Sequence, residues 1–449
     1  MMNKQKILFA LLCVVMYGNI YAQEFGFDND SGGGLGGNAA SVTVGGEVSA
    51  SFVGYIDDFS DGTDHVRPGD IFSGKLNFSA GTSFADGVIN LDVQPAQQPV
   101  SIDEAYVRAY FGSLEIEGGI RKLTWGKADS FGPLDVINPL DYSELTDLSD
   151  TMNLKIARPL MHASYRIGSF SKIEGVFVPW FEPLRYAEEG RWTPAQMTQL
   201  KELQELGDTL GIEITLDQPE ITDLLTLKYA QGGGRFTTTI GSADIGLQYY
   251  YGRLTRPAVT VSYVFTPPSP IPVSTTVNLA YNPYHQIGVD WAQVLWGFNV
   301  RAEFAANITE DLSGDDGSVY NPALLWSFGF DRDLFWGINL NIQCNESIRL
   351  MNDKINNTPL MDTEADTDMI STQIIAAISK KFFRDELELR FAALWEIEAK
   401  DFLLMPALIW TRDTVSVELS GGIFGGNEDG QFGQYHNNNF VKAALTYSF

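Results

Sequence analysis

Apolar and polar residues alternate along most of the chain. The clearest examples are residues 42–52, 298–307, 386–397 and 414–420. In 298–307, Phe298, Val300 and Phe304 share one face, while Arg301 and Glu303 share the other. A period of two residues is typical of β-strands that bury one face and wet the other. The sequence contains ~20 such segments and therefore predicts an all-β protein.

The lengths of these segments favour a membrane barrel over a soluble sandwich. They run for ~10 residues, which a tilted strand needs to cross a bilayer, whereas soluble strands average ~5–6. Short turns follow some segments: Gly112-Ser113, Gly168-Ser169, Gly241-Ser242, Arg332-Asp333, Arg384-Asp385 and Arg412-Asp413. Long acidic connections follow others: 55–70, 123–152, 182–234, 307–321, 347–369 and 425–439. Outer-membrane barrels show this asymmetry, with short periplasmic turns and long outer loops.

The two kinds of connection also agree with a simple parity rule. If the first strand starts at the periplasmic side, every short turn should follow an even-numbered strand. Among ~20 segments, the six turns follow the strands that we number 4, 6, 8, 14, 16 and 18. The segments near 86–95 and 273–294 are the least regular. We therefore predict a transmembrane antiparallel β-barrel of about 16–20 strands over residues 41–449, with long outer loops.

The N-terminus has the features of a secretory signal peptide. Lys4 and Lys6 precede a short apolar run, and Ala22 is suited to a cleavage site. We place the signal at residues 1–22 and a Gly-rich tail at 23–40. A lipoprotein signal at Cys13 is the weaker alternative, because Leu12 stands where a small residue is needed. Cleavage leaves Cys344 as the single cysteine, which excludes an intrachain disulfide and Cys-rich metal sites.

The C-terminal segment FVKAALTYSF is another alternating strand. Val441, Leu445, Tyr447 and Phe449 share its apolar face. It resembles the assembly signal with which bacterial outer-membrane barrels end, carried here by Tyr447 and Phe449. The resemblance implies the bacterial cell outer membrane as location, with membrane lipid and the barrel-assembly machinery as partners. The alternative is an edge strand of a soluble protein, but a free apolar edge would promote aggregation.

Charged residues occupy the polar faces of the predicted strands. The chain has a net charge of −27, which argues against nucleic acid as a partner. The charges that we expect to face the lumen are Arg108, Glu115, Glu117, Arg301, Glu303, Glu388 and Arg390. Such charges are costly to bury in a dry core, so the sequence predicts a water-filled lumen. A soluble solenoid or sandwich with a solvated face is the competing interpretation.

One segment breaks the alternation: RKLTWGKADSFGPLDVINPLDYSEL, residues 121–145. It resembles the R/Q-x-x-x-W-G-x-x-D…D-x-x-N-P-x-D segment of a largely uncharacterised family of porin-like outer-membrane barrels. The matching residues are Arg121, Trp125, Gly126, Asp129, Asp135, Asn138, Pro139 and Asp141. A second, less specific match is ADIGLQYYYGRLTRP, which resembles a strand of the same family. The resemblance implies a large barrel pore but no particular substrate.

The same segment is too apolar for a free surface loop, so we expect it to fold into the barrel. It would then set opposed charges on a pore-lining loop, and rings of charge are how such pores select solutes. The candidate constriction residues are Arg121, Trp125, Lys127, Asp129, Asp135, Asn138 and Asp141. The alternative is that the Asp and Asn residues cap turns. A helix near 193–206, with a capping box at Thr193 and Gln196 and a stop at Gly207, is predicted in the longest loop.

The functional hypothesis is a passive, porin-like channel for small solutes, with the loop at 123–152 as its constriction. A transporter of hydrophobic compounds is a close variant, and a non-conducting surface protein or adhesin that uses the acidic outer loops is another alternative. We expect no enzyme activity, because the only cluster suited to acid–base chemistry is Asp64-His65 beside Asp57-Asp58 in an acidic loop. We expect no cofactor and no metal.

Overall fold

The computed structural model describes residues 41–56, 66–67, 72–94, 99–148, 151–268, 272–358 and 360–449. The predicted signal peptide, the Gly-rich tail and the Asp64-His65 cluster lie outside the described residues. Eighteen antiparallel strands form one closed barrel. They are β1 Ser41–Tyr55, β2 Ser73–Gly81, β3 Ala85–Val93, β4 Ser101–Phe111, β5 Leu114–Arg121, β6 Arg158–Ile167, β7 Ser171–Val178, β8 Gln231–Ile240, β9 Ala243–Arg253, β10 Pro283–Leu295, β11 Phe298–Thr309, β12 Ala323–Asp333, β13 Ile338–Arg349, β14 Ile370–Phe382, β15 Leu387–Glu396, β16 Asp401–Arg412, β17 Val415–Gly426 and β18 Phe440–Ser448.

The last strand closes the barrel against the first. β1 pairs with β18 from Glu47 opposite Ser448 to Tyr55 opposite Phe440. The backbones of Gly46 and Phe449 exchange two hydrogen bonds, of 3.0 and 3.1 Å. The apolar C-terminal strand therefore has partners on both sides, and closure removes the free edge that would invite aggregation.

The alternation in the sequence separates an outer from an inner face. On β11, Phe304 points outward and is 43% exposed, whereas its neighbour Glu303 points inward and is 4% exposed. On β15, Trp395 is 52% exposed and Leu394 is 5% exposed. A continuous apolar outer surface of this kind is what a membrane barrel presents to lipid.

The short and long connections lie at opposite ends of the barrel, as the parity rule predicts. Gly112, Gly168 and Gly241 follow β4, β6 and β8 and have φ values of 66°, 63° and 66°. These left-handed conformations suit glycine and match the twist of a tight hairpin. The three Arg-Asp turns lie at the ends of β12, β14 and β16. The barrel's eighteen strands confirm the predicted range of about 16–20. Two of the ~20 alternating segments are not barrel strands.

The two surplus segments form a small sheet in the long loops. Ala258–Phe265 pairs with Pro272–Ala280, which in turn pairs with Glu213–Asp217. They alternate like barrel strands, and Val261 and Val277, which lie opposite each other, are buried. The two segments are consecutive in the sequence and neither is a barrel strand. Each later strand therefore keeps its even or odd number, and the parity rule still holds.

The helix in the loop between β7 and β8 spans Ala195–Leu210. The predicted capping box is wrong, because Pro194 is the N-cap and no side chain caps the helix. The predicted stop at Gly207 is wrong as well, because the helix ends at Gly211, with φ 69°. Gly207 instead packs closely: an added Cβ would lie 2.7 Å from the Ile212 carbonyl oxygen. Among the described residues, no helix is both long and apolar enough to span a membrane.

Candidate functional site

The connection between β5 and β6, residues 122–157, folds into the barrel; we call it the inserted loop. Its apolar residues Trp125, Leu134 and Ile137 are almost completely buried. Trp125 packs edge-on against Tyr250 of β9, with ring centroids 6.5 Å apart. The inward packing therefore follows from the apolar residues that made this segment unsuitable for an exposed loop.

The strongest attachment of the inserted loop is to Glu303 of β11. Its carboxylate accepts hydrogen bonds from the backbone N–H groups of Lys127, Ala128 and Leu134, the last two at 2.7 and 3.2 Å. Gly132 lies so close that an added Cβ would be 2.7 Å from this carboxylate, and a Cβ at Gly126 would also clash with it. A buried acceptor that binds three backbone donors fixes the path of the loop.

Amide side chains of the wall hold the same part of the loop. The Phe131 carbonyl accepts from Gln343 Nε2 at 2.9 Å and from Asn345 Nδ2 at 2.7 Å. Gln248 Nε2 donates to the Leu134 carbonyl at 3.0 Å, and Gln286 Nε2 to the Pro133 carbonyl at 2.9 Å. The sequence analysis did not predict a role for these four amides. The feature that could have indicated one is that amide side chains recur at inward positions of β9, β10 and β13.

Asp129 lies at the far end of the loop, against the wall. Its carboxylate pairs with Arg301 at 2.5 Å and accepts from Asn341 Nδ2 at 3.0 Å. Arg301 also pairs with Asp331 at 2.6 Å. Burial raises the pKa of the Asp129 carboxyl, although Arg301 lowers it. Asp129 therefore joins the loop to an ion-paired part of the wall.

The other candidate residues of the inserted loop differ in their contacts. Asp135 pairs with Lys155 at 2.6 Å, and burial raises the pKa of its carboxyl, against the lowering effect of Lys155. Asp141 pairs with Arg185 at 2.9 Å, in the connection between β7 and β8. The side chain of Lys127 is half-buried and forms no ion pair with a described residue. A role for these residues in a constriction stays a prediction.

Asn138 joins the two ends of the inserted loop. Its side-chain oxygen accepts from Leu123 N at 2.8 Å. Its amide group donates to the carbonyls of Arg121 at 3.0 Å and Ile156 at 2.8 Å. The residue is buried, so one side chain satisfies three backbone groups that would otherwise lack partners.

The lumen-facing charges near the base of the loop form a paired network. Glu117 is buried and pairs with Arg121 and, at 2.8 Å, with Arg108. Arg108 also pairs with Glu115 at 3.2 Å. The predicted residues Glu388 and Arg390 lie on β15, outside this network, opposite Lys381 and Ser379 of β14.

A second buried pair, Arg235 of β8 with Asp290 of β10, spans the strand between them. The distance is 2.7 Å, and Asp290 reaches across Gly246 of β9. A Cβ on Gly246 would lie 2.6 Å from Asp290 Cγ.

We expect the substitution Gly246→Ala to break this pair and to lower the free energy of unfolding by ~3 kcal/mol, because an uncompensated buried charge remains. Urea unfolding in lipid vesicles measures it. Gly118→Ala is the matched control, since a Cβ there has no atom within 4 Å. Equal stability of the two variants would contradict the role of Gly246.

A cluster of aromatic residues packs the inserted loop and its neighbours near the long-loop end. Trp192 is buried, with ring centroids 5.4 Å from Phe424 and 5.5 Å from Tyr435. Leu145 of the inserted loop belongs to the same cluster, and Phe131 packs against it. The inserted loop is therefore fixed on both sides of the barrel, to β9–β13 by hydrogen bonds and to β15–β18 by apolar packing.

No protein-family model matches the chain, and no curated protein matches it. Among solved structures, the chain is similar to Pseudomonas aeruginosa OccK9 (OpdG), with 9% identity over 91% of this chain and 97% of that one and a TM-score of 0.47. The outer membrane channel DcaP of Acinetobacter baumannii is 11% identical over 91% of this chain and 97% of that one, with a TM-score of 0.43. Salmonella typhi OmpF, in complex with daunomycin, is 9% identical over 92% of this chain and 98% of that one, with a TM-score of 0.42.

Proposed function

We propose that this protein is a passive channel of the bacterial outer membrane, which lets small solutes cross through a water-filled lumen. The inserted loop is its constriction. The observation that carries the proposal is an apolar outer face combined with inward charges that reach water. Glu47 and Lys75 face the lumen on β1 and β2, and their side chains are 40% and 44% exposed. Charges solvated inside a closed wall need water there.

Two features support a location in a membrane, and in the bacterial outer membrane in particular. The outer face of the strands carries exposed apolar side chains on every side of the barrel, which suits lipid rather than water. The predicted signal peptide and the closing strand with Tyr447 and Phe449 support export to the outer membrane and insertion by its assembly machinery.

The geometry of the inserted loop supports its role as the constriction. The loop leaves β5 and reaches β13, which lies eight strands further around the wall. It therefore extends from one part of the wall to another and narrows the lumen. Because it is attached at both sides, it sets a fixed aperture instead of a mobile flap.

Swelling of liposomes that contain the folded protein tests the channel. We expect uptake of small sugars at a rate that falls steeply with solute size, because the loop narrows the lumen. Liposomes without protein are the control. Absence of swelling with every solute would overturn the proposal and favour a non-conducting surface protein.

A further inference from the structure

The inserted loop covers one side of the inner wall and leaves the other side open. On β5 to β11, six inward side chains are less than 10% exposed: Glu117, His162, Glu174, Arg235, Asp290 and Glu303. Lys172 and Arg301, on the same strands, are 41% and 25% exposed. On β1 to β4, Glu47, Lys75 and Asp103 keep 40%, 44% and 24% of their side chains exposed. Water therefore reaches the wall along β1–β4.

The inserted loop also borders this open side. Its Asn153 accepts a hydrogen bond from Lys75 Nζ at 3.2 Å. Its Asp147 lies 3.6 Å from Lys442 of β18, and its side chain is 49% exposed. The open side is thus a passage between the β1–β4 wall and the part of the loop that carries Asp147 and Asn153.

A β-bulge adds acidic charge to this passage. The pairing of β3 with β4 shifts by one residue, from Asn90 opposite Glu104 to Leu91 opposite Ile102. Asp103 is the extra residue, and it joins Glu104 on the inner side. Both contact Lys122: Asp103 pairs with its Nζ at 2.6 Å, and Glu104 accepts from its backbone N–H at 2.9 Å.

Acids outnumber bases along the passage. The acids are Glu47, Asp86, Asp92, Asp103, Glu104 and Asp147, and the bases are Lys75, Arg108, Lys122 and Lys442. Each lysine has an acidic partner, whereas Asp92 and Glu104 form no ion pair with a described residue. The fixed charge of the passage is therefore negative.

We propose that the β1–β4 side of the lumen is the solute path, and that its acidic lining makes the channel prefer cations and solutes with a positively charged group. The inference rests on the proposed channel function. A wall with excess negative charge concentrates positive ions in a narrow passage and repels negative ones.

Reversal potentials in a KCl gradient across planar bilayers test the charge preference. We expect K⁺ to permeate better than Cl⁻ through the wild-type channel. The double variant Glu47→Gln/Asp92→Asn should lower the permeability ratio by about two-fold or more, because it removes two charges from the passage. The control is Glu213→Gln/Asp217→Asn, which removes the same charge from the small sheet in the loops.

Thiol labelling tests the position of the path. In a Cys344→Ser background, Ser49→Cys lies on β1 and Ser164→Cys on β6; the native serines both face inward, and Ser164 is buried. A cationic methanethiosulfonate should reduce the current through Ser49→Cys and leave Ser164→Cys unchanged.

The outcomes separate the two proposals. Channels that prefer Cl⁻, or an unchanged ratio in Glu47→Gln/Asp92→Asn, would overturn the cation preference while the channel function stands. Block of Ser164→Cys but not of Ser49→Cys would overturn the position of the path. A wild-type protein without openings would overturn the channel function itself.

Discussion

Replacing Glu303 by alanine should detach the inserted loop from the wall and raise the single-channel conductance several-fold. Three backbone N–H groups lose their common acceptor. A hydrogen bond to a charged group contributes about 1.5–3 kcal/mol. Water in the lumen offsets part of this loss, so the barrel should remain folded while the loop moves away from β11. Conductance in planar bilayers measures the change.

The matched control for this prediction is Glu388→Ala. Glu388 also faces the lumen, on β15, and forms no hydrogen bond with a described loop residue. The substitution Glu388→Ala removes the same charge without freeing the loop. The conductance of this variant should therefore stay near the wild-type value. If both variants conduct equally, the change reports lost charge alone and Glu303 does not hold the constriction.

Replacing Asn138 by alanine should have the largest effect on stability. The substitution leaves one backbone donor and two backbone acceptors without partners at a buried site. We expect the free energy of unfolding to fall by roughly 3 kcal/mol or more, since each unsatisfied buried group costs about 1–3 kcal/mol. Urea unfolding followed by tryptophan fluorescence in lipid vesicles measures this loss.

Asn153→Ala is the appropriate comparison for Asn138→Ala. Asn153 belongs to the same loop, and its side chain accepts one hydrogen bond from a described residue, Lys75, at an exposed position. Its removal should cost less than ~1 kcal/mol. A similar loss in both variants would show that the two ends of the loop are not held together by Asn138.

Much of the barrel follows from the sequence, because strand periodicity reports directly on which face a side chain occupies. The inward positions of Arg301 and Glu303 and the pairing of β18 with β1 need only alternation and a closed sheet. The strand count was less certain, because Ala258–Phe265 and Pro272–Ala280 alternate as barrel strands do. Alternation shows that a strand has two different faces, but it does not show what covers them.

The site could be predicted only in part, because its contacts join distant parts of the chain. Trp125 and Ile137 indicated that the loop packs inward. Nothing local showed that Glu303 would receive it, since that contact links residues more than 160 positions apart. The height at which a loop meets the wall depends on the tilt and register of many strands. Gly126 and Gly132, which allow the close approach, were the available signal.

Shortening the inserted loop tests the central claim most directly. In the variant, two glycines replace residues 127–134, which removes the contacts to Glu303 and keeps Asn138 and the ends of the loop. Single-channel conductance in planar bilayers is compared with that of the wild type. If the loop narrows a water-filled lumen, the variant should give stable openings of clearly larger conductance. Openings of the same size as in the wild type would contradict this account.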